Sequence, residues 1–478
     1  MKILAFSLAP VFRSHVHGGS QKILREVVTY LGSRGHEVRV VCICRPDNDT
    51  PFLLAPSVEV LPIFRLKPTY PEPYYAAPSD LAEMIVALKK NIDWCDRFYI
   101  HDAELPFHFL YDHKPTIVSF RDFVYPDTLV GGFGFRRDRL LLNSDYVARC
   151  VIDAFSNFRP TIADRIVVVK NGIDLSHFAP RPRPTSEQIQ SLLGNASPAT
   201  YTLLYPHRPD RRKGILEALR ITARLQARLN RLGQSVRLLI PTWVDSAVAS
   251  SSSHEYQTIY SEINEVAAEL GILGQVHFHD WIPYGLMPEY LSMGSATLCV
   301  GNFVEAFGNV HLESVACGTP CVVAGVAAHA ENLPEPLVCK VPYGDIESAA
   351  ECAEKLCLST YDVAVARDYL ERNYSFMGML DGYERVIVST QIEDPLPLEI
   401  LPALAPDTRL RLAAWCRDDG LGIYNDYRYK RVVEKRRIQL ARRAHSAIHF
   451  RDLVQEGYSE QEILFELKDG LLVQLPSI

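Results

Sequence analysis

Apolar positions along the chain fall into two patterns that alternate. Ile3 to Leu8 is a short continuous apolar run. After it, Leu24, Val27, Val28 and Leu31 recur at helical spacing, with Gly35 placed to end the helix. Val38 to Ile43 is then a strand rich in β-branched residues. A strand, a helix and a second buried strand make a βαβ unit of a parallel sheet covered on both faces. Further strands are expected at Arg97 to Ile100, Thr116 to Phe120, Arg139 to Leu142 and Arg165 to Val169. The Pro- and Tyr-rich stretch Pro46 to Pro78 reads as loop with short strands, and Pro180 to Pro184 as a linker.

A second alternation starts at Thr202. Strands are expected at Leu203 to Tyr205, Val236 to Ile240, Val276 to Phe278, Ala296 to Val300 and Pro320 to Ala324. Helices are expected at Gly214 to Leu229, Glu255 to Leu270, Pro288 to Met293, Gly308 to Ala316, Ile346 to Cys357 and Val363 to Arg372, with an exposed Ser-rich loop at Ser246 to Ser253. This gives an α/β chain of two doubly wound domains, whose ligands would bind beyond the carboxyl ends of the strands. Pro395 to Ile478 breaks the alternation and reads as a mainly helical module. Leu398 to Pro406 and Leu410 to Asp418 are taken as short helices, and Ser459 with Glu462 forms a capping box ahead of a stop at Gly470.

Length and composition narrow the picture. The 478 residues allow two large domains or three. Lys plus Arg is 50 and Asp plus Glu 57, a net charge of −7, which argues against coating nucleic acid through global charge. No apolar run is long enough to span a bilayer. The first residues read as a buried strand rather than a secretory leader, because Pro10 follows and no small-x-small cleavage site is evident. The 11 cysteines show no Cys-x-x-Cys and no zinc spacing, so reduced thiols in a cytoplasmic protein are expected, with Cys42, Cys299, Cys317 and Cys321 in the core.

Candidate chemistry is concentrated in three loops. Glu305 and Glu313 flank Gly308 at the opening of a helix. Amides at a helix start favour an anion such as a diphosphate, and neighbouring carboxylates can accept hydrogen bonds from sugar hydroxyls; two solvated surface glutamates are the plain alternative. Arg208 to Gly214 lies between a strand and a helix, where Arg208 and Lys213 can clamp a diphosphate or simply face water. Gly18-Gly19 after the first strand is either a ligand-approach loop or an ordinary tight turn. Arg428 to Arg443 holds eight Lys/Arg and one Glu. It reads as a solvated helix face, with anionic lipid, an acidic acceptor or a carrier as the functional alternatives.

These motifs together resemble the retaining glycosyltransferases of family 4 with the GT-B fold, over roughly residues 1–390. The matching features are His17-Gly18-Gly19-Ser20, Arg34 to Val38, Asn143-Ser144, Val169 to Asp174 with Phe178 and Pro180, Arg208 with Lys213-Gly214, and the E-x7-E pattern of Glu305 and Glu313 followed by Ala316 to Val323. The resemblance implies an acceptor domain at 1–180, a nucleotide-sugar donor domain at 181–375 facing it across a cleft and a helix returning at 376–394; beyond it, the chain's own pattern reads as an appended, winged-helix-like module at 395–478.

It implies transfer of a sugar from a UDP- or GDP-sugar to an acceptor hydroxyl, with retention, through a short-lived oxocarbenium–phosphate ion pair. Neither a metal nor a cofactor is implied. Glu313 would hold the donor ribose and Glu305 the transferring sugar. Amides of Ala306, Phe307, Gly308, Asn309 and Val310 would hold sugar and phosphate, Arg208 and Lys213 the leaving diphosphate, and Gly18 and Gly19 would let the first loop approach. Where many relatives carry a His, this chain has Arg121-Asp122, leaving His101 or Arg121 as candidate replacements or acceptor contacts. His207 stands where relatives have Gly, and Pro241-Thr242-Trp243 replaces a Gly-rich turn. A degenerate GT-B scaffold that only binds or regulates, and a sugar-nucleotide epimerase, are the other readings. A peripheral contact at the inner membrane face through 428–443 is a further expectation.

Overall fold

The protein was analysed as a computed structural model, which describes residues 1–14, 16, 18–65, 77–102, 105, 107–182, 186–194, 198–242 and 253–476. His17, part of the 46–78 loop, part of the Pro-rich linker, Trp243 and nearly all of the Ser-rich loop lie outside them. Two compact units form. One comprises Met1–Asn171, Met377–Asp418 and Gly422–Ile478; the other comprises Gly172–Phe376 and Asp419–Leu421.

The first unit is built on strands β1 (Lys2–Ser7), β2 (Glu37–Ile43), β3 (Phe52–Ala55), β4 (Val58–Phe64), β5 (Arg97–His101), β6 (Thr116–Phe120), β7 (Arg139–Leu142) and β8 (Ile166–Val168), in the order β3-β4-β2-β1-β5-β6-β7-β8. Only the β3–β4 pair is antiparallel. The helix Gly18–Ser33 buries Leu24, Val27, Val28 and Leu31, the face its sequence spacing defines. The Arg34 to Val38 motif is explained within this unit. Arg34 and His36 both reach Glu384 of the helix Phe376–Ser389, at 3.3 Å each, and Tyr30 donates to Asp381 of the same helix.

The second unit carries β9 (Tyr201–Leu204), β10 (Val236–Pro241), β11 (Val276–His279), β12 (Ala296–Cys299), β13 (Cys321–Ala324) and β14 (Val338–Val341). All are parallel, in the order β11-β10-β9-β12-β13-β14. This is the doubly wound order, and the direction of winding reverses between β9 and β12. The loops after β9 and β12, which hold Arg208/Lys213 and Glu305, therefore leave neighbouring strands at the same end of the sheet.

Residues 395–478 differ from the mainly helical expectation. Strands β15 (Arg409–Leu412), β19 (Ile448–His449) and β20 (Leu472–Gln474) form one antiparallel sheet, and β16 (Cys416–Asp418), β17 (Ile423–Asn425) and β18 (Lys430–Val432) form another. Arg409-Leu410-Arg411-Leu412 alternates with period two and buries both leucines, so it is a strand and not a helix. The 398–406 stretch is irregular; Pro402 and Pro406 each lack the N–H a helix needs. The helix Glu460–Asp469 has its expected capping box, with Ser459 Oγ accepting from Glu462 N at 3.2 Å and Ser459 N donating to Glu462 at 2.8 Å.

The basic run is largely neutralised inside this module. Only Lys435–Arg443 of it is helical. Arg437 bonds Glu466 and Asp469, each at 2.6 Å. Arg442 meets Asp418 at 2.7 Å, Arg443 meets Glu456 at 2.8 Å, Arg436 meets Glu462 at 3.0 Å and Lys430 meets Asp469 at 3.2 Å. One thiol expectation is corrected: Cys339 of β14 and Cys352 of the helix Ile346–Leu358 form a disulfide, their Cα atoms 6.0 Å apart. Cys42, Cys299, Cys317 and Cys321 are free and buried.

Glu466 is nearly fully buried against Arg437. Removing Glu466 strips Arg437 of its bidentate partner and leaves it Asp469. Glu466→Ala is expected to cost about 3 kcal/mol, read as a lowered unfolding midpoint, whereas Glu456→Ala at the exposed Arg443 pair should change it little.

Candidate functional site

The second unit's site begins with two glycines back to back. Gly214, at φ +87°, ends the loop after β9, and Gly301 starts the loop after β12. A Cβ on Gly214 would run into the backbone of Val300 and Gly301, and one on Gly301 into Arg212 and Lys213. The loops thus touch backbone to backbone, and Phe303 N donates to Arg212 O at 2.9 Å. Lys213 is delivered onto Glu305 in a direct ion pair, with its ammonium 4.0 Å from the centroid of the Phe303 ring. Arg208, on the same loop, reaches Asp210 at 3.8 Å.

Burial alone would raise the Glu305 pKa. The Lys213 ammonium bonded to it outweighs burial and holds the carboxyl down at about 2. Glu305 is therefore ionised at any physiological pH. Eight residues on, Glu313 sits in the helix Asn309–Ala316, which Gly308 opens at φ +77°. Ala306 and Phe307 are buried and Asn309 and Val310 partly so.

Three imidazoles surround this loop, and the sequence pointed only to the first. His311 and His329 are withdrawn from water, and His207 is partly buried. Burial lowers the His207 pKa to about 3 and that of His329 to about 4, and holds His311 well below the usual imidazole value. A Cβ on Gly308 would fall on His329 Nε2. Ala328 N donates to Glu305 O at 3.2 Å, fixing the turn Ala327–Ala330 beneath the loop. A lone histidine in each of two apolar stretches was the available signal, but only the fold brings them together.

The first unit's candidates collect at its own switch point, where the winding reverses between the paired strands β1 and β5. His101 is fully buried. Its Nδ1 is 2.6 Å from the Tyr99 hydroxyl and its Nε2 3.0 Å from both Oγ and O of Ser20. Burial and Arg121 push its pKa down to about 3. Both nitrogens are occupied, which makes it a fold imidazole rather than an accessible base. The Arg121 guanidinium donates to Tyr383 and Asn171, and its carbonyl accepts from Asn143 Nδ2 at 3.1 Å. Asp122 Oδ1 accepts from Val124 N, Tyr125 N and Thr128 Oγ1 at 3.0, 3.2 and 2.8 Å. Asp102 is raised to about 7 by burial and by Asp122. Gly18, at φ +86°, and Gly19 form the first residues of the helix Gly18–Ser33. Among the described residues, no group of three or more His, Cys, Asp or Glu is arranged to hold a metal ion. None of the described helices is long and apolar enough to cross a membrane.

Two family models match this arrangement end to end: "Glycosyltransferase Family 4" over residues 17–177 and "Glycosyl transferases group 1" over residues 194–356. The chain belongs to the family 4 glycosyltransferases, with the GT-B fold. Among curated proteins it is 31% identical over 192 residues to D-inositol 3-phosphate glycosyltransferase of Thermomonospora curvata, covering 40% of this chain and 41% of that one. It is likewise 31% identical to the Thermobifida fusca protein of that name, covering 40% of each. The chain thus matches about two fifths of the length of these relatives. Among solved structures, Anabaena Alr3699/HepE in complex with UDP-glucose aligns at TM-score 0.61 and 17% identity, over 81% of this chain and all of that one. Sucrose-phosphate synthase of Thermosynechococcus elongatus aligns at 0.60 and 16%, over 80% and 98%.

Two outcomes are expected. Gly308→Ala places a methyl group on His329 at a left-handed φ, and should cost about 1–3 kcal/mol, measured by thermal unfolding. The depressed histidines predict acid sensitivity with a definite sign. The unfolded chain takes up protons on them below pH 6.5 while the folded chain does not, so stability is full above pH 6.5 and is lost progressively down to about pH 4 for His329. His329→Gln should flatten that decline by about 3 kcal/mol, measured as unfolding midpoint against pH.

Proposed function

We propose that the protein is a retaining glycosyltransferase that moves a sugar from a nucleotide-diphosphate sugar, UDP- or GDP-linked, to an acceptor hydroxyl. The observation that carries this reading is the contact between Lys213 and Glu305 at the switch point of the second unit. A cation for a departing diphosphate and an ionised carboxylate for sugar hydroxyls stand side by side, next to a helix start, an end whose dipole favours an anion. The solved relative that holds UDP-glucose supports the same ligand class.

In this reading the reacting bond joins the sugar's anomeric carbon to the diphosphate. As it stretches, negative charge grows on the phosphate oxygens and positive charge on the sugar. Lys213 and Arg208 lower the energy of the first, as does the start of the helix Asn309–Ala316. Glu305 orients the sugar and favours the second, and Glu313 holds the ribose. The acceptor hydroxyl attacks from the face the diphosphate leaves, with the departing phosphate taking its proton, so configuration is retained. No metal is required, because the leaving charge is met by side chains and amides.

The test is release of nucleoside diphosphate from UDP- and GDP-sugars by the full chain. Glu305→Ala and Lys213→Ala should each lower kcat about 100- to 1,000-fold, and a chelator should leave the wild-type rate unchanged. Full activity in Glu305→Ala would overturn the assignment. Binding of a sugar nucleotide without turnover in any acceptor screen would favour the scaffold reading instead.

A further inference from the structure

The Lys213–Glu305 pair raises a difficulty that the three histidines resolve. In the transferase reading, Lys213 serves the diphosphate and Glu305 serves the sugar, so donor binding must part them. Opening an ion pair that is largely shielded from water is costly because each charge loses its compensation. For Lys213 the incoming diphosphate replaces Glu305. For Glu305, neutral sugar hydroxyls replace an ammonium, and a buried carboxylate is left without a counter-ion.

The residues around Glu305 suggest the replacement. After Lys213, the group whose protonation would favour the Glu305 carboxylate most strongly is His329, ahead of His207. Its Nε2 lies against the Gly308 backbone, on the underside of the loop that carries Glu305. The adjacent Ala328 N–H is bonded to the Glu305 carbonyl, so imidazole and carboxylate are held in one backbone frame. The titratable groups facing His329 are Glu305, Lys213, His207 and His311. The His311 ring stands edge-on to that of His329 with centroids 4.7 Å apart. It is fully buried, and neither of its ring nitrogens has a hydrogen-bond partner. Lys340 of β14 acts on His311 from behind.

We propose that His329 is a positioning residue that takes up a proton as the donor binds and becomes the counter-ion of Glu305, releasing Lys213 to the diphosphate. The inference rests on the transferase reading and goes beyond it. The proton comes from solvent and ends on a ring nitrogen of His329; no other bond forms or breaks. In the free protein this imidazole is neutral: burial and the Lys213 ammonium outweigh the pull of Glu305 and hold its pKa at about 4. Movement of Lys213 toward the ligand and the arrival of a doubly negative diphosphate both favour the imidazolium. His311 and Lys340, packed on the far side, keep a second proton from entering.

The experiment is isothermal titration of the full chain with UDP-glucose, and with GDP-mannose, near neutral pH in buffers of different ionisation heat. Neither diphosphate diester ionises near neutrality, so any buffer-dependent heat belongs to the protein. The expected result is net uptake approaching roughly one proton per donor bound, with affinity falling up to about tenfold per pH unit as pH rises. His329→Gln should bind more weakly and take up none. Should that variant not fold, a ring-carbon NMR titration of histidine-labelled wild type, with and without UDP-glucose, must show one imidazole passing from neutral to protonated. Binding with buffer-independent heat, uptake that survives in His329→Gln, or unchanged ring signals on binding would each overturn the inference. If neither sugar nucleotide binds at all, the transferase reading fails instead.

Discussion

A partly buried ion pair between Lys213 and Glu305 is the constraint on which the second unit's site turns. Two opposite charges held away from water need close approach and further support, since desolvation otherwise exceeds their attraction. Each requirement is met by a separate feature of the chain. Strand order puts the loops after β9 and β12 side by side. Gly214 and Gly301 remove the side chains that would hold those loops apart. The Phe303 ring faces the ammonium, adding cation–π attraction where water is scarce. The turn at Ala327–Ala330 fixes the carboxylate's own backbone from below.

The first unit follows the same topology but uses its switch point differently. Polar side chains there are tied to one another. His101 is bonded to Tyr99 and Ser20, Arg121 to Tyr383 and Asn171, and Asp122 to the turn that follows it. A buried polar network is favourable only when its members are satisfied, and this one reaches the returning helix Phe376–Ser389 through Tyr383. Arg121 thus has a structural role: a long planar cation bridges three chain segments.

Much of this was legible in the sequence, for a physical reason. Strands such as Val38 to Ile43 are buried on both faces and must be apolar throughout, and helices such as Gly18–Ser33 bury one face and must repeat at helical spacing. Both demands act on neighbouring residues and so appear locally. Glu305 was found through spacing and family likeness, and Lys213 likewise. The histidine cluster was not, because His207 and His329 meet only after four crossovers, from β9 to β13. The Cys339–Cys352 disulfide was missed for a different reason: it joins a strand to the next helix, and two cysteines 13 apart carry no motif that marks them as a pair. The C-terminal strands were misread where Arg409 to Leu412 carries a period-two signal too short to dominate its Pro-rich surroundings.

The basic stretch Arg428 to Arg443 shows why charge counts mislead in such modules. Counted in sequence, it is a patch of eight cations against one carboxylate. In the fold, Asp418, Glu456, Glu462, Glu466 and Asp469 arrive from the hairpin and from the two final helices to meet five of those cations. The pairing at Arg437 is bidentate, nearly dry and shared between two carboxylates, so it fixes how the helices Lys435–Arg443 and Glu460–Asp469 pack. A small module with two short three-stranded sheets has little apolar area to define one arrangement. An arginine that must find both Glu466 and Asp469 excludes alternatives that apolar packing alone would tolerate.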